Sequence, residues 1–267
     1  MTPVSKSRSD GPLDGRVAVI TGASAGIGEA IARSLHASGA SVVLNARRAD
    51  RLEAIAAELS EGAAIAPGDA ADGAIIGEML QTALKRFGKP ADLVVVNAGR
   101  GLAGSVTTSD PEQWEEMVRV NLLGAARLMR AAADTMIGAG PGPAVGDGWL
   151  AHPRDIVVIG SNVGRHHSPF SSMYGSTKFA VNSLAEAQRR ELAPKGIRVT
   201  LIEPGIVASE FQGVAGYDEQ WWETFGTKFA PLLKPEDVAR AVEFVVSQPA
   251  GVHVNDVMLR PTRQDYP

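Results

Sequence analysis

The chain alternates short apolar, β-branched runs with longer stretches of helical periodicity. The apolar runs predict strands at 16–21, 41–45, 63–69, 92–97, 155–161, 197–203 and 252–259. The stretches between them predict helices at 26–38, 49–60, 71–87, 111–137, 172–193 and 235–247. Strands that are apolar almost throughout are typical of a parallel sheet buried on both faces. The pattern therefore predicts the α/β class, with a doubly wound, seven-stranded parallel sheet and helices on both faces.

The composition is that of an ordinary globular protein. A chain of 267 residues can bury a substantial core within one domain. The net charge of −4 argues against a nucleic-acid partner, and the absence of cysteine excludes disulfides and thiolate chemistry. No apolar run approaches the roughly 18 residues of a membrane span. These features predict a cytoplasmic protein that binds neither membrane nor nucleic acid.

Two segments interrupt the alternation of strands and helices. Residues 1–13 are polar and lack the apolar region of a signal peptide, so we predict a flexible tail followed by a single domain at 14–267. Residues 137–155 are rich in Gly and Pro and predict a long loop.

A glycine-rich motif, TGASAGIG at 21–28, follows the first predicted strand and opens the first helix. Glycines let the backbone approach a phosphate closely, and a helix N-terminus offers free N–H groups with a partial positive charge. The spacing is Gly22-x-x-x-Gly26-x-Gly28 rather than G-x-G-x-x-G. A turn without a ligand is the alternative, but the strand before it and the helix after it favour a dinucleotide site.

A second candidate site lies in YGSTK at 174–178, where Tyr174 and Lys178 share one face of a predicted helix. A nearby ammonium lowers the pKa of a phenol, so the pair forms a candidate general acid or base. Ser161, at the end of a predicted strand, could bring its hydroxyl to the same place. If this spacing occurred alone, a surface contact between Tyr174 and Lys178 would be the better interpretation. The other motifs in the same chain favour a catalytic pair instead.

Together these motifs resemble the classical short-chain dehydrogenases/reductases. The resemblance runs from about residue 14 to the end, in the family's order. Its motifs are TGASAGIG, NAG at 97–99, Asn121 in VNLLG, Ser161 in GSNVG, YGSTK, and PGIVAS at 204–209. The resemblance implies a single Rossmann-fold domain, a nicotinamide cofactor, and hydride transfer to or from a carbonyl or secondary alcohol carbon.

The resemblance also implies roles for individual residues. Tyr174 would be the proton donor, Ser161 would orient the carbonyl oxygen, and Asn121 would hold a water in a proton relay. Lys178 would also hold the nicotinamide ribose. No metal site is expected. The implied cofactor-binding residues are Gly22, Ser24, Gly26, Ile27, Gly28, Arg47, Arg48, Asp69, Ala70, Asn97, Ala98, Gly99, Tyr174, Lys178, Pro204, Gly205, Val207 and Ser209.

The end of the second predicted strand bears on cofactor choice. NAD-specific relatives place an acidic residue there, whereas this chain has Ala46, followed by Arg47 and Arg48. A guanidinium suits a 2′-phosphate, so we predict that NADP(H) is preferred over NAD(H). Arg47 is the main candidate, Asn45 could add a hydrogen bond, and Arg48 could instead be a solvated start of the next helix.

The substrate class is less sharply indicated. The HVN strand and Pro-containing segment after residue 252 are similar to NADP-dependent serine and 3-hydroxy acid dehydrogenases. That similarity favours a small hydroxy acid, sugar or amino alcohol. A 3-oxoacyl-acyl-carrier-protein reductase and a non-catalytic nucleotide-binding regulator remain alternatives. Arg165 could pair with a substrate carboxylate, although a solvated surface arginine is the simpler interpretation.

Two further features concern the cleft and assembly. The segment 212–233 matches the part that closes over substrate in the family, and an apolar wall is expected from Phe211, Trp221, Trp222 and Phe225. The helices at 111–137 and 172–193 are Ala-rich, and family members pair such helices across two-fold axes. We therefore expect self-association as a homodimer or homotetramer.

Overall fold

The computed structural model describes residues 11–140, 144–145, 149–150 and 152–266. Its strands are β1 Val17–Thr21, β2 Ser41–Asn45, β3 Ala63–Ile65, β4 Leu93–Val96, β5 Ala144–Val145, β6 Trp149–Leu150, β7 Arg154–Ile159, β8 Ile197–Pro204 and β9 Asp256–Leu259. Seven of them form one sheet in the order β3-β2-β1-β4-β7-β8-β9, and every pairing is parallel. The predicted α/β fold with a seven-stranded parallel sheet is confirmed.

The sheet is buried on both faces because successive side chains of a strand point to opposite sides. In β1, Ala18 and Ile20 belong to one core cluster, which also holds side chains of the first, second and last helices. Val17 and Val19 belong to the other cluster, on the opposite face. An uninterrupted apolar run thus supplies both cores, which is why these strands lack polar alternation.

Helices cover both faces of the sheet. They are α1 Gly26–Ala37, α2 Ala49–Leu59, α3 Gly73–Phe87, α4 Trp114–Val118, α5 Ala125–Gly138, α6 Ser172–Leu192, α7 Phe211–Ala215, α8 Glu219–Trp221, α9 Thr227–Phe229 and α10 Pro235–Val246. Local sequence sets several boundaries. Asp72 caps α3 by accepting a hydrogen bond from the Ala74 N–H at 2.8 Å, and Gly88 ends the helix with a φ of +75°.

The helix expected at 111–137 is not a single regular helix. A 3₁₀ turn at Pro111–Gln113 leads into α4, and a π-helical turn at Arg119–Gly124 separates α4 from α5. A π turn admits an extra residue into the helix and often marks a functional site. Asn121, one of the residues expected in the active site, lies within this π turn.

The structure differs from the sequence predictions for the tail at 1–13 and for the loop at 137–155. Leu13 is buried and donates its N–H to Ser38 O at 2.9 Å, so the domain begins before residue 14. Residues 1–10 of the predicted tail lie outside the described residues. Within the predicted loop at 137–155, β5 and β6 pair antiparallel, so this stretch contains a short hairpin. Residues 141–143, 146–148 and 151 lie outside the described part of the chain.

The topology places a crevice at the carboxyl ends of the central strands. The chain winds outward from β1 in one direction through β2 and β3, and in the other through β4 to β9. The connections therefore diverge beyond the carboxyl ends of β1 and β4, where open parallel sheets bind their ligands. Within the described ranges, no helix combines the length and apolar character needed to cross a membrane.

Candidate active site

A cavity of about 620 Å³ opens beyond the carboxyl ends of the central strands. It is lined by every residue expected to bind cofactor: Gly22, Ser24, Gly26, Ile27, Gly28, Arg47, Arg48, Asp69, Ala70, Asn97, Ala98, Gly99, Tyr174, Lys178, Pro204, Gly205, Val207 and Ser209. Ser161 lines it too, whereas Asn121 does not. The fold thus brings residues from seven separate stretches of the chain to one place.

The glycine loop has the backbone that its sequence requires. Gly22 and Gly26 have φ values of +67° and +56°, a region that residues with a side chain rarely adopt. A Cβ on Gly28 would lie 2.3 Å from Gly22 O. No side chain caps the N-terminus of α1, which begins at Gly26 on the cavity wall. This uncapped helix start, reached through glycines, fits the diphosphate of a dinucleotide.

Hydrogen bonds between Asn97 and Thr21 join the ends of β4 and β1 beneath this loop. Asn97 Nδ2 donates to Thr21 O at 2.8 Å. Thr21 Oγ1 accepts the N–H groups of Asn97 and Ala98 at 3.0 Å each. A Cβ on Gly22 would approach Asn97 Nδ2 to 2.8 Å, so the amide packs directly against the glycine. Asn97 therefore sets the shape of the loop, in addition to lining the cavity.

The two strand-end arginines differ in their surroundings. Arg48 folds back onto the glycine loop, where its Nη2 donates to Ser24 Oγ at 3.1 Å and its Nη1 pairs with Glu210 Oε2 at 3.0 Å. Arg48 is therefore more than a solvated start of α2. Arg47 is exposed, lines the cavity, and makes no hydrogen bond or ion pair with any described residue. Arg47 is thus the available guanidinium at this strand end.

Asn45 lines the cavity, but its amide hydrogens are already used within the protein. Its side chain is fully buried, and Nδ2 donates to Ala66 O at 2.8 Å and to Gly68 O at 3.3 Å. Its amide hydrogens are therefore used to hold the segment that follows β3. The expectation that Asn45 adds a hydrogen bond to a cofactor phosphate is not supported by this geometry.

Asp69 is held by an ion pair that the sequence did not indicate. Its Oδ2 lies 2.5 Å from Arg119 Nη2, and its Oδ1 accepts the Ala71 N–H at 2.9 Å. Partial burial acts to raise the pKa of Asp69, but these two hydrogen bonds outweigh burial and lower it. Asp69 thus remains ionised on the wall of the cavity, tied to the π turn between α4 and α5.

Ser161 and Tyr174 meet at the other end of the cavity. The Ser161 side chain interacts with the Tyr174 phenol and acts to lower its pKa. The remaining contacts of Ser161 Oγ are long, at 3.4 Å to Asn162 Oδ1 and 3.5 Å to Pro204 O. Lys178 Nζ lies 5.8 Å from the centre of the Tyr174 ring and donates to Ile159 O at 2.8 Å. The two hydroxyls and the amine therefore converge around one point of the cleft.

Burial is the main cause of the pKa shifts of Tyr174 and Lys178. It raises the pKa of Tyr174 above its ordinary value, and the interaction with Ser161 offsets only part of that rise. It lowers the pKa of Lys178 from 10.5 to about 8. The expected lowering of the Tyr174 pKa is therefore not observed, because loss of water around the phenol raises that pKa instead.

Asn121 acts on the site through other residues. Its Oδ1 accepts the Arg100 N–H at 2.8 Å, and its Nδ2 donates to Arg100 O at 2.8 Å and to Thr177 Oγ1 at 3.1 Å. Both amide hydrogens are therefore used within the protein. The side chain ties the loop after β4 to the turn of α6 that lies between Tyr174 and Lys178.

Arg165 lies at the surface, with 45% of its side chain exposed, but it is not a free carboxylate receptor. Its guanidinium pairs with Glu203 Oε2 at 2.6 Å and with Asp256 Oδ1 at 2.7 Å. Glu203 is fully buried at the end of β8 and also accepts a hydrogen bond from Asn182 Nδ2 at 2.7 Å. A buried carboxylate needs such partners, so Arg165 is committed to this cluster. The interpretation of Arg165 as a receptor for a substrate carboxylate is therefore not supported, whereas its expected place at the surface agrees with the structure.

The expected apolar wall forms in part. Phe211 and Phe225 line the cavity. Trp222 does not appear on the cavity wall; its ring packs on Gly226, where a Cβ would lie 2.8 Å from Trp222 Cε3. The side chain of Trp221 lies outside the described part of the chain. Sequence reasoning missed Phe170, Tyr217 and Tyr266 on the same wall. No motif marks these aromatic residues.

The charged residues of the site do not form a metal centre. In the described ranges, no three His, Asp or Glu side chains are grouped so that they could hold a metal ion.

Comparison with known proteins decides the family. The model of the short chain dehydrogenase family matches residues 16–220. The chain belongs to this family. It is a nicotinamide-dependent oxidoreductase that acts on CH–OH groups, as expected from the sequence. An uncharacterised oxidoreductase of Staphylococcus epidermidis is 34% identical over 248 residues, which cover 92% of this chain and 97% of the relative.

Solved structures of similar enzymes carry different cofactors. A closed serine dehydrogenase complexed with NADP⁺ has a TM-score of 0.81 at 32% identity, covering 94% of this chain and 96% of that one. An alcohol dehydrogenase of Thermococcus sibiricus with 5-hydroxy-NADP has a TM-score of 0.77 at 33% identity, covering 94% and 99%. A 3-ketoacyl-acyl-carrier-protein reductase of Brucella melitensis with NADH has a TM-score of 0.79 at 26% identity, covering 94% and 99%.

Proposed function

We propose that this oxidoreductase prefers NADP(H) and interconverts a ketone and a secondary alcohol of a small molecule, with Tyr174 as the proton donor. The observation that carries the proposal is the convergence of Ser161, Tyr174 and Lys178 at one end of the cavity, with the glycine loop at the other. Small hydroxy acids, sugars and amino alcohols stay predictions as substrates, and so do self-association and a cytoplasmic location.

The residues present fit a nicotinamide dinucleotide. The uncapped start of α1 suits the diphosphate, Arg47 suits a 2′-phosphate, and Lys178 with the loop at 204–209 suits the nicotinamide half. When bound, this cofactor supplies the hydride for carbonyl reduction and accepts it in alcohol oxidation.

The protein's part in the reaction follows from three side chains. A carbonyl carbon that receives hydride leaves negative charge on its oxygen. The hydroxyls of Ser161 and Tyr174, which line the same cavity, can both donate to that oxygen and stabilise it. Tyr174 then gives up its phenolic proton, and its raised pKa keeps that proton available at neutral pH. Lys178, with a pKa of about 8, can resupply it.

Cofactor preference tests the role of Arg47. In wild type we expect tighter binding of NADPH than of NADH. Because Arg47→Ala removes a hydrogen bond to a charged group, we expect the NADPH dissociation constant to rise by about ten- to a hundredfold. Binding is measured by nicotinamide fluorescence in the absence of substrate, for both cofactors.

Arg51→Ala is the matched control for this test. Arg51 lies one turn further along α2, pairs with Glu210 at 2.8 Å, and does not line the cavity. NADPH binding should change less than about threefold in this variant, because the lost ion pair is exposed. A wild-type enzyme that binds NADH more tightly, or an Arg47→Ala variant that binds NADPH as well as wild type does, would remove the assignment.

The pH dependence tests the pairing of Tyr174 and Lys178. Below pH 8 both groups hold their protons, so the rate constant for carbonyl reduction should be nearly independent of pH. As the pH rises through about 8, Lys178 loses its proton and reduction should slow, while alcohol oxidation, which needs a proton acceptor, should speed up. The measurement is kcat/KM from pH 6 to 10 in both directions.

Ser161→Ala provides the control for the pH profile. It removes a hydroxyl that stabilises the developing charge but does not titrate, so the rate should fall while the inflection stays in place. Reduction that continues unchanged above pH 9 in wild type would show that Lys178 does not resupply the proton.

A further inference from the structure

One end of the cavity is walled by aromatic rings. Phe170 lies 5.5 Å from Phe225 and 6.1 Å from Tyr266, measured between ring centres, and the second contact is edge-to-face. Phe225 in turn lies 5.9 Å from Phe229. Phe211 lies 5.5 Å from the ring of Tyr174, the proposed proton donor. We call Phe170, Phe225, Phe229 and Tyr266 the aromatic wall; all four line the same cavity as Tyr174.

Three separate segments hold this wall in place. Gly104 N donates to Phe170 O at 2.8 Å and fixes the loop before α6. The segment 261–266 is anchored by Gln264, whose buried side chain accepts the Ile206 N–H at 3.0 Å. An ion pair of 2.9 Å between Lys228 and Asp265 joins this segment to α9. Tyr266 therefore faces the cavity from a segment that is tied on two sides.

Among the described residues, no charged residue that lines the cavity belongs to the segments that carry the aromatic wall, and Lys228, whose Nζ lies 4.9 Å from the centre of the Phe229 ring, is paired with Asp265. The charged residues that line the cavity lie in the loops after β2, β3 and β4, on α4, next to α7, or at Lys178. Lys178 donates to Ile159 O, and Glu210, which precedes α7, is paired with Arg48 and Arg51. Arg165, the arginine nearest to Ser161 in the sequence, is bound to Glu203 and Asp256. Half of the Phe170 surface, 48%, is nevertheless exposed toward solvent.

We propose that the substrate is an uncharged ketone, or the matching secondary alcohol, that carries an aromatic or bulky apolar group, and that the aromatic wall receives this group. The inference rests on the proposed function and narrows its substrate. Stacking and edge-to-face contacts favour an aryl group over an alkyl group of similar size. A carboxylate at the same place would lose its water without gaining a partner.

Four matched ketones test separately whether the substrate must be uncharged and whether it must carry an aryl group. They are methyl benzoylformate, benzoylformate, methyl pyruvate and pyruvate, which cross an aryl or methyl group with an ester or a carboxylate. We expect methyl benzoylformate to have the highest kcat/KM. The carboxylate of each pair should lose about a hundredfold or more, and the methyl analogue of the aryl ester about tenfold or more.

A binding measurement frees the test from turnover. The corresponding alcohols, methyl mandelate, mandelate, methyl lactate and lactate, are titrated by calorimetry into the protein saturated with NADPH, because an alcohol and a reduced cofactor cannot react with each other. The same order of affinity is expected. If the alcohols bind in this order but none of the four ketones is reduced, the substrate inference stands and the proposed function fails.

Variants of Tyr266 test the wall directly. Tyr266→Ala should raise the dissociation constant of methyl mandelate by about tenfold and leave that of methyl lactate within about twofold. Tyr266→Phe keeps the ring and removes only the hydroxyl, whose contact with His167 O is long at 3.4 Å, so it should bind like wild type. NADPH binding, measured by fluorescence, should be unchanged in both variants.

Two results would overturn the inference. The first is stronger binding or faster reduction of the carboxylates than of their esters, which would reveal a cationic receptor. The second is an equal loss of affinity for the aryl and methyl alcohols in Tyr266→Ala, which would make Tyr266 a support of the fold rather than a wall for the substrate.

Discussion

Tyr174→Phe will lower kcat for carbonyl reduction by about 10²- to 10⁴-fold, because it removes the proton donor and one of two hydrogen bonds to the developing oxyanion. The fold should persist, since the ring keeps its packing against Phe211 at 5.5 Å. NADPH binding, measured by fluorescence, should stay within about threefold of wild type. The kinetic comparison uses a saturating ketone, so that the loss appears in kcat rather than in KM.

Tyr217→Phe is the control for this loss. Tyr217 is a half-buried phenol that also lines the cavity, but its hydroxyl is hydrogen-bonded to Ser171 rather than placed beside Ser161. Its removal should cost less than about tenfold in kcat, the scale of one neutral hydrogen bond. If Tyr217→Phe were the variant that lost turnover while Tyr174→Phe kept it, the assignment of the proton donor would pass to Tyr217.

Gly28→Ala will abolish measurable NADPH binding, with a loss of more than about a hundredfold, and will lower the melting temperature. A methyl group at this position would lie 2.3 Å from Gly22 O and 2.6 Å from Asn97 Nδ2, so the backbone of the glycine loop must move. The loop and the start of α1 are the surfaces proposed to meet the diphosphate. Fluorescence titration and thermal melting are measured on the same preparation.

Gly77→Ala makes the same chemical change without the clash. Gly77 is exposed within α3, and a Cβ there would have no atom within 4 Å. Alanine favours a helix interior over glycine by about 0.5–1 kcal/mol, so this variant should be slightly more stable and bind NADPH normally. Normal NADPH binding by Gly28→Ala would instead place the diphosphate away from the glycine loop.

The strands, and the fact that the site residues lie together, could be predicted from the sequence. Both depend on the pattern of apolar residues and motifs along short stretches of the chain. The run at 41–45 coincides with β2, and the start predicted for the first helix at residue 26 coincides with α1. Residues within two positions of a strand's carboxyl end, such as Asn97 after β4 and Ser161 after β7, had to come together, because these ends lie on the same side of a parallel sheet. The four-residue spacing of Tyr174 and Lys178 fixed their common face once α6 formed.

Partners that are far apart in sequence could not be predicted in the same way. Arg165 and Glu203 are 38 residues apart, and nothing in the pattern around Glu203 announces a buried carboxylate. Asn45 was assigned to a ligand, whereas its amide is used by backbone carbonyls whose positions only the fold determines. The proton affinity of Tyr174 depends on how much water the folded cleft excludes, and a charge count along the chain contains no such information.

The two ends of the described chain lie at opposite sides of the sheet, and this decides where a purification tag belongs. Leu13 packs beside Ser38, just before the amino end of β2, whereas Tyr266 lies against Phe170 in the mouth of the cleft. A histidine tag or fusion partner placed after residue 267 would leave the protein beside the entrance used by small molecules. It could obstruct entry or add imidazoles there. The first described residues, around Leu13, lie on the far side from the cleft, so kinetic work should use an amino-terminal tag.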